Sequence, residues 1–175
     1  GTFGSALTLT ASGGTTNGSV TYVATGTGCS ITSGALSKSA AGDCSVTATM
    51  AGNGNYEPVS SSATTVTFAL AAQSSLTVTS TSGTYGSAVT LTTSGGTTNG
   101  SVTFVVTGTG CSESGGLLSK TAAGDCAVTA TMAGNSNYNA VSSSATTVSF
   151  ARVALTVTAD AKSKQYGASN PTLTY

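Results

Sequence analysis

Histidine and tryptophan are absent from this 175-residue chain, proline and methionine occur twice each, and acids and bases number only five each. Without histidine, neither a Ser–His nor a Cys–His nucleophile pair can be assembled. Zinc loses its usual nitrogen ligand, and no two cysteines stand in the C-x-x-C spacing that would replace it. The acids are Asp43, Glu57, Glu113, Asp125 and Asp160. Only Asp43 and Asp125 recur at equivalent positions, each beside a glycine in turn-like sequence, so paired carboxylates for glycoside hydrolysis would have to come from different parts of the chain. The expectation is a protein that is not an enzyme and carries no cofactor. The few basic residues form no patch, which leaves nucleic acid without an electrostatic footprint. The longest apolar stretch, around Val66 to Ala72, is interrupted by Thr67 and is far too short to cross a bilayer, so no membrane insertion is expected in this segment. No signal-peptide pattern opens the chain, which begins inside a repeat. Glu, Lys, Arg, Gln and Met are scarce, and with them the means to build helices.

Ser and Thr make up more than a third of the residues, Gly contributes 23, and Val is frequent. Thr and Val favour the pleated, half-buried surface of a strand, so the fold is expected to be all-β. The dominant signal is internal repetition. Residues 2–69 align without a gap on residues 84–151, and 53 of the 68 positions are identical. Several of the differences exchange one core-compatible residue for another, as Phe3 for Tyr85, Leu7 for Val89 and Tyr22 for Phe104. A third copy begins near the end, where Ala154-Leu-Thr-Val-Thr158 echoes Ser75-Leu-Thr-Val-Thr79 and Tyr166-Gly167 echoes Tyr85-Gly86. The chain therefore divides into residues 1–72, a copy lacking its first strand; residues 73–152, a whole copy; and residues 153–175, the first strands of another.

Within the whole copy, Leu76 to Thr79 alternates apolar and polar as a half-buried strand should. A turn at Gly83 to Gly86 leads to a strand over Ala88–Thr92. Asn99-Gly100 is a hairpin signal, because both residues tolerate positive φ. Ser101 to Thr107 follows, with Val102 and Phe104 on one face, and Leu117-Leu118 makes at most a short strand. Cys126, Val128, Ala130 and Met132 then share one face of a strand, the loop Gly134 to Tyr138 intervenes, and Val148 and Phe150 point inward from a closing strand over Thr146–Ala151. About seven strands in about eighty residues fit a two-sheet sandwich. Such a unit buries little surface and gains from a covalent staple. Cys111 follows the third strand and Cys126 sits on a core-facing position, so a disulfide between them is expected, with its counterpart between Cys29 and Cys44. That implies an oxidising compartment.

Two patterns carry a family resemblance. Gly-Asp-Cys-x-Val-Thr-Ala-Thr followed by Gly-Asn-x-Asn-Tyr stands at Gly42 to Tyr56 and again at Gly124 to Tyr138, and resembles bacterial immunoglobulin-like repeats of large surface proteins. The tail, Leu155 to Asp160 with Lys164 to Tyr175, is similar to the start of MBG-type repeats, another bacterial surface module. The resemblance implies tandem immunoglobulin-like β-sandwich modules at the cell surface, acting as a structural stalk or spacer of an adhesin-like protein, with neighbouring modules or other copies of the chain as partners. A second expectation follows from the phase of the repeats. The first copy lacks its Leu-Thr-Val-Thr strand, and Ala154, Leu155, Thr156, Val157 and Thr158 supply a surplus one, so the alternative expectation is a filament subunit whose chains join head to tail by strand addition.

Other chemistry is weighed against plainer readings. Lys38 and Lys120, with Asn17, Asn99, Asn53, Asn135, Asn55 and Asn137, invite an intramolecular Lys–Asn isopeptide bond. That chemistry needs an apolar core with a protonated acid, and a solvated Lys38–Asp43 pair is simpler. Asp43, Asn53 and Asn55 offer oxygens to calcium, but the loop is not acid-rich and turn-forming Asn suffices. Asn17-Gly-Ser19 and Asn99-Gly-Ser101 match the glycosylation sequon, which is also frequent by chance in Ser/Thr-rich chains. Rows of Thr invite ice binding, against the twist of a small sandwich. Tyr56 and Tyr138 offer stacking to sugars, against packing over the sandwich end.

Overall fold

The computed structural model describes residues 1–174, and among these it is all-β without a helix, built from several sandwich-like sheets. Tyr175, the last residue of the tail motif, lies outside the described residues. The first repeat forms β1 (Leu7–Thr8), β2 (Val20–Thr25), β3 (Cys29–Thr32), β4 (Ala35–Lys38), β5 (Gly42–Met50), β6 (Val59–Ser60) and β7 (Thr64–Phe68). The second forms β8 (Leu76–Val78), β9 (Ser82–Thr84), β10 (Val89–Thr90), β11 (Thr93–Gly95), β12 (Val102–Thr107), β13 (Cys111–Ser114), β14 (Leu117–Lys120), β15 (Gly124–Met132), β16 (Val141–Ser142) and β17 (Thr146–Ala151).

The long Gly-Asp-Cys strand organises each repeat. β15 pairs antiparallel with β12 along one edge and with β17 and β16 along the other, while β9 adds in parallel to β17. β5 holds β2, β6 and β7 in the same way, and a single parallel bridge between Thr2 and Ala69 stands where β9 pairs. Opposite lie the small sheets β1-β4-β3 and β10-β14-β13. Alternation along β15 places Cys126, Val128, Ala130 and Met132 inward, as its sequence pattern dictates, and all four are buried beside Val148 and Phe150. Both disulfides form, Cys29–Cys44 and Cys111–Cys126, each tying the small sheet to the central strand of the large one.

Several local expectations are corrected. The whole copy contains ten strands rather than about seven, because β9, β11, β13 and β16 are two- to four-residue segments in Ser/Gly/Thr sequence that shows no alternation. Asn99-Gly100 makes no two-residue hairpin. Its flanking strands belong to different partners, β11 to β8 and β12 to β15, so the segment is a corner between sheets, and neither residue has positive φ. The true two-residue hairpins are Ser33-Gly34 and Gly115-Gly116, where both residues have positive φ (50° and 77°; 59° and 84°) and join β3 to β4 and β13 to β14. The described part of residues 153–175, assigned from sequence to first strands of a third copy, is exposed and contains no strand.

Candidate functional site: an open groove and a junction

At an offset of 82 residues the position of β8 falls ahead of Gly1, and Ala11–Gly13, at the position of β11, form no strand; the two repeats can be compared position by position from Thr2 onward. In the second repeat β8 runs antiparallel to β11, with Leu76 opposite Gly95, Thr77 opposite Ser94 and Val78 opposite Thr93. Leu76 and Val78 enter a core of ten buried residues that includes Leu91, Ala130, Met132 and Val148. Hydroxyl pairs reinforce the edge, Thr77 Oγ1 with Ser94 Oγ at 2.8 Å and Thr79 Oγ1 with Thr92 Oγ1 at 2.6 Å.

In the first repeat the equivalent acceptor, Ala11, Ser12 and Gly13, is an unpaired edge. Its buried core shrinks to Leu36, Cys44, Val46 and Phe68. Leu9, Ala48, Met50 and Val66, the counterparts of Leu91, Ala130, Met132 and Val148, are only half-buried. They line two adjoining cavities of about 140 and 260 Å³, bounded by Ala11, Ser12 and Gly13 on one side and by Ser61 and Thr64 on the other. The sequence is nearly the same in both repeats; in the second, β8 pairs with β11 beside these positions.

The segment leading into β8 is held by Gln73. Its Nε2 donates to the carbonyls of Ala133 (3.2 Å) and Asn139 (2.8 Å), and its Oε1 accepts from Thr97 N, Thr98 N and Thr98 Oγ1, each at 3.0 Å. Burying this amide is sustainable because all its hydrogen-bonding capacity is used.

The repeats meet just upstream. Ala71 N donates to Asn137 O and Asn139 N to Ala71 O, both at 2.9 Å, which makes a parallel bridge between Ala71 and Tyr138. Ala41 N donates to Asn137 Oδ1 at 3.1 Å, and the Tyr138 ring stands edge-on to Phe3 with centroids 5.5 Å apart. The loop that presents these groups is set by Asn135, whose Oδ1 accepts from the backbone N–H groups of Asn137 and Tyr138. The counterparts of the two rings are exposed. Tyr56, at the position of Tyr138, is 51% exposed, and Tyr85, at the position of Phe3, is 45% exposed.

The remaining sequence candidates fall elsewhere. Lys38 Nζ donates to the Thr27 carbonyl and Lys120 Nζ to that of Thr109, whereas Asp43 and Asp125 accept from Thr67 and Ser149, so Lys, Asn and acid are not brought together for an isopeptide bond. Asn53 Oδ1 accepts from Asn55 N and Tyr56 N, which is turn chemistry, and no cluster of three or more metal-ligating side chains exists among the described residues. Asn17 and Asn99 are exposed on the sheet corners. Tyr138 is engaged at the junction instead of facing solvent as a sugar platform. Ala154, Leu155, Thr156, Val157 and Thr158 lie exposed and unpaired. Sequence reading missed Gln73, and named Asn137 only for an isopeptide bond and Phe3 only as a core exchange; the one available signal was that Gln73 is one of only two glutamines and sits where a copy begins. No family model matches the chain, and no curated protein matches it.

Proposed function

We propose that this chain is a stretch of an extracellular structural array, in which immunoglobulin-like sandwich modules stacked in series form the stalk or spacer of a bacterial surface adhesin-like protein. The observation that carries this reading is the junction. The contact between the repeats combines paired backbone, a side-chain cap on Ala41 and an aromatic pair, and the counterparts of the two rings, Tyr56 and Tyr85, are exposed. A unit of this kind stacks on its neighbours in one direction, which suits a rod. Two disulfides accord with an oxidising exterior. The sparse charge leaves backbone pairing and packing as the working parts.

Small-angle X-ray scattering of residues 1–175 tests the reading. The expected profile is that of a stiff, elongated particle, and a variant with Tyr138→Ala and Asn137→Ala should show the broadened distance distribution of two pivoting halves. An unsubstituted chain whose halves already pivot freely would remove the basis for a load-bearing rod.

A further inference from the structure

We propose that the outer edge of β12 in the second repeat is a peptide-binding site, and that it takes an extended segment of a partner protein carrying a lysine or arginine side chain for Glu113. β12 is an edge strand, pairing with β15 and with no other strand among the described residues. Ser101 O accepts from Ala133 N on the β15 side, so alternation along an antiparallel strand turns the N–H and C=O groups of Val102, Phe104 and Val106 outward. β13, which follows through the turn at residues 108–110, pairs with β14 in the small sheet and leaves that edge uncovered. Edges of this length are usually guarded by charge, proline or a bulge. Val-Thr-Phe-Val-Val-Thr has neither charge nor proline, and its register with β15 is unbroken.

Beside this edge, where the two sheets part, lies a cavity of about 490 Å³ lined by Val102, Thr103, Phe104, Glu113, Gly115 and Gly116. Phe104 packs against the buried core yet is only half-buried itself, and gives the cavity an aromatic wall. Glu113 gives it a charge. Its Oε1 accepts from Gly116 N at 2.6 Å, and its Oε2 has no hydrogen-bond partner among the described residues. Lys120, the only cation on the same small sheet, is turned to the Thr109 carbonyl and Cys111 Sγ. A carboxylate with one oxygen to spare, beside an aromatic ring, suits an ammonium or guanidinium group. Residues directly opposite in a strand pair share a face, so a peptide residue paired with Phe104 points toward the small sheet and into the cavity. Its neighbours fall on the outer face beside Thr103 and Val105. Main-chain bonds to β12 supply affinity, and the cavity selects the side chain.

Comparison of the repeats shows that the acid is not a requirement of the fold. Four of the five residues 31–35 differ from their counterparts: Ile31 for Glu113, Thr32 for Ser114, Ser33 for Gly115 and Ala35 for Leu117. Ile31 packs on the core of the first repeat, so the same hairpin accepts an apolar residue where the second repeat holds a carboxylate. The first repeat keeps the edge strand, with Val20, Tyr22 and Ala24 in the outward positions, but has no charge beside it.

This inference adds a partner to the array proposed above and does not depend on how the repeats stack. The probes are two end-capped peptides, Val-Thr-Lys-Thr-Val and Val-Thr-Glu-Thr-Val, titrated into isotope-labelled residues 1–175 and followed by amide NMR. The lysine peptide is expected to shift the amides of Val102, Phe104 and Val106 and slow their hydrogen exchange, with little change at Val20, Tyr22 and Ala24. The glutamate peptide should bind about tenfold more weakly, the ratio that one charge-assisted hydrogen bond supplies. Glu113→Ile installs the first repeat's own residue, so the fold should survive and the preference for lysine should vanish. Equal affinity for the two peptides, an undiminished preference in Glu113→Ile, or no binding of either peptide at millimolar concentration would overturn the proposal.

Discussion

At the level of single residues, the repeated sequence makes the protein its own control. Val148 is fully buried beneath β8, while Val66, the same residue in the same strand position, borders the open groove and is half-buried. Val148→Ala removes two buried methyl groups and leaves a cavity, a loss of about 2–3 kcal/mol. Val66→Ala should cost about half as much, because solvent already reaches that site. Denaturant titration of each variant, monitored by fluorescence of a tyrosine in the affected repeat, checks the ratio; equal losses would mean that the groove is closed in solution. Val148 was legible as an inward residue from its alternation with Phe150. That Val66 would be less buried was not, since no residue within its own strand differs in a way that predicts it.

Among the elements, β8 shows how a short strand depends on what precedes it. Three residues give it few ladder hydrogen bonds, and Gln73 supplies the rest of its anchorage through five contacts to two loops. Gln73→Ala strands the amides of Thr97 and Thr98 and should cost about 2–4 kcal/mol. Hydrogen exchange at those two amides should accelerate together with the β8 amides, and protection unchanged at β8 would separate the clasp from the strand. The expected Leu76–Thr79 strand needed only its alternation to be recognised. β9, β13 and β16 were not recognised, because Ser-Gly-Thr, Cys-Ser-Glu-Ser and Val-Ser carry no apolar period; they are strands because a neighbour presents an edge to them. The Asn99-Gly100 corner makes the same point in reverse. Its local chemistry suits a tight hairpin, yet the Gln73 contacts and the separate pairing of β11 and β12 turn it into a passage between sheets.

For the whole molecule, the two repeats within residues 1–175 are expected to differ in stability. Burying Leu76 and Val78 contributes about 3–6 kcal/mol of apolar transfer to the second repeat, less the entropy of ordering the strand, and the first repeat has no such term. Heating should therefore give two calorimetric transitions, the first repeat melting at the lower temperature. Reductant should lower both by a similar amount, about 3 kcal/mol each in the chain-entropy model, because the two disulfides close loops of the same separation, 15 residues. A single transition would mean that the junction couples the repeats tightly enough to melt them together.

Composition and periodicity alone determined that this chain is all-β, that it is built from a repeated unit, that Cys29 joins Cys44 and Cys111 joins Cys126, and which faces of the long strands turn inward. Each of these is a local matter: propensity, alternation, and the recurrence of a pattern along one chain. Only the tertiary structure decided that Tyr138 and Asn137 serve a junction, and that an Asn-Gly pair turns a corner. Those outcomes depend on which strand arrives beside which, over separations of tens of residues, and side-chain pattern along one strand does not record it.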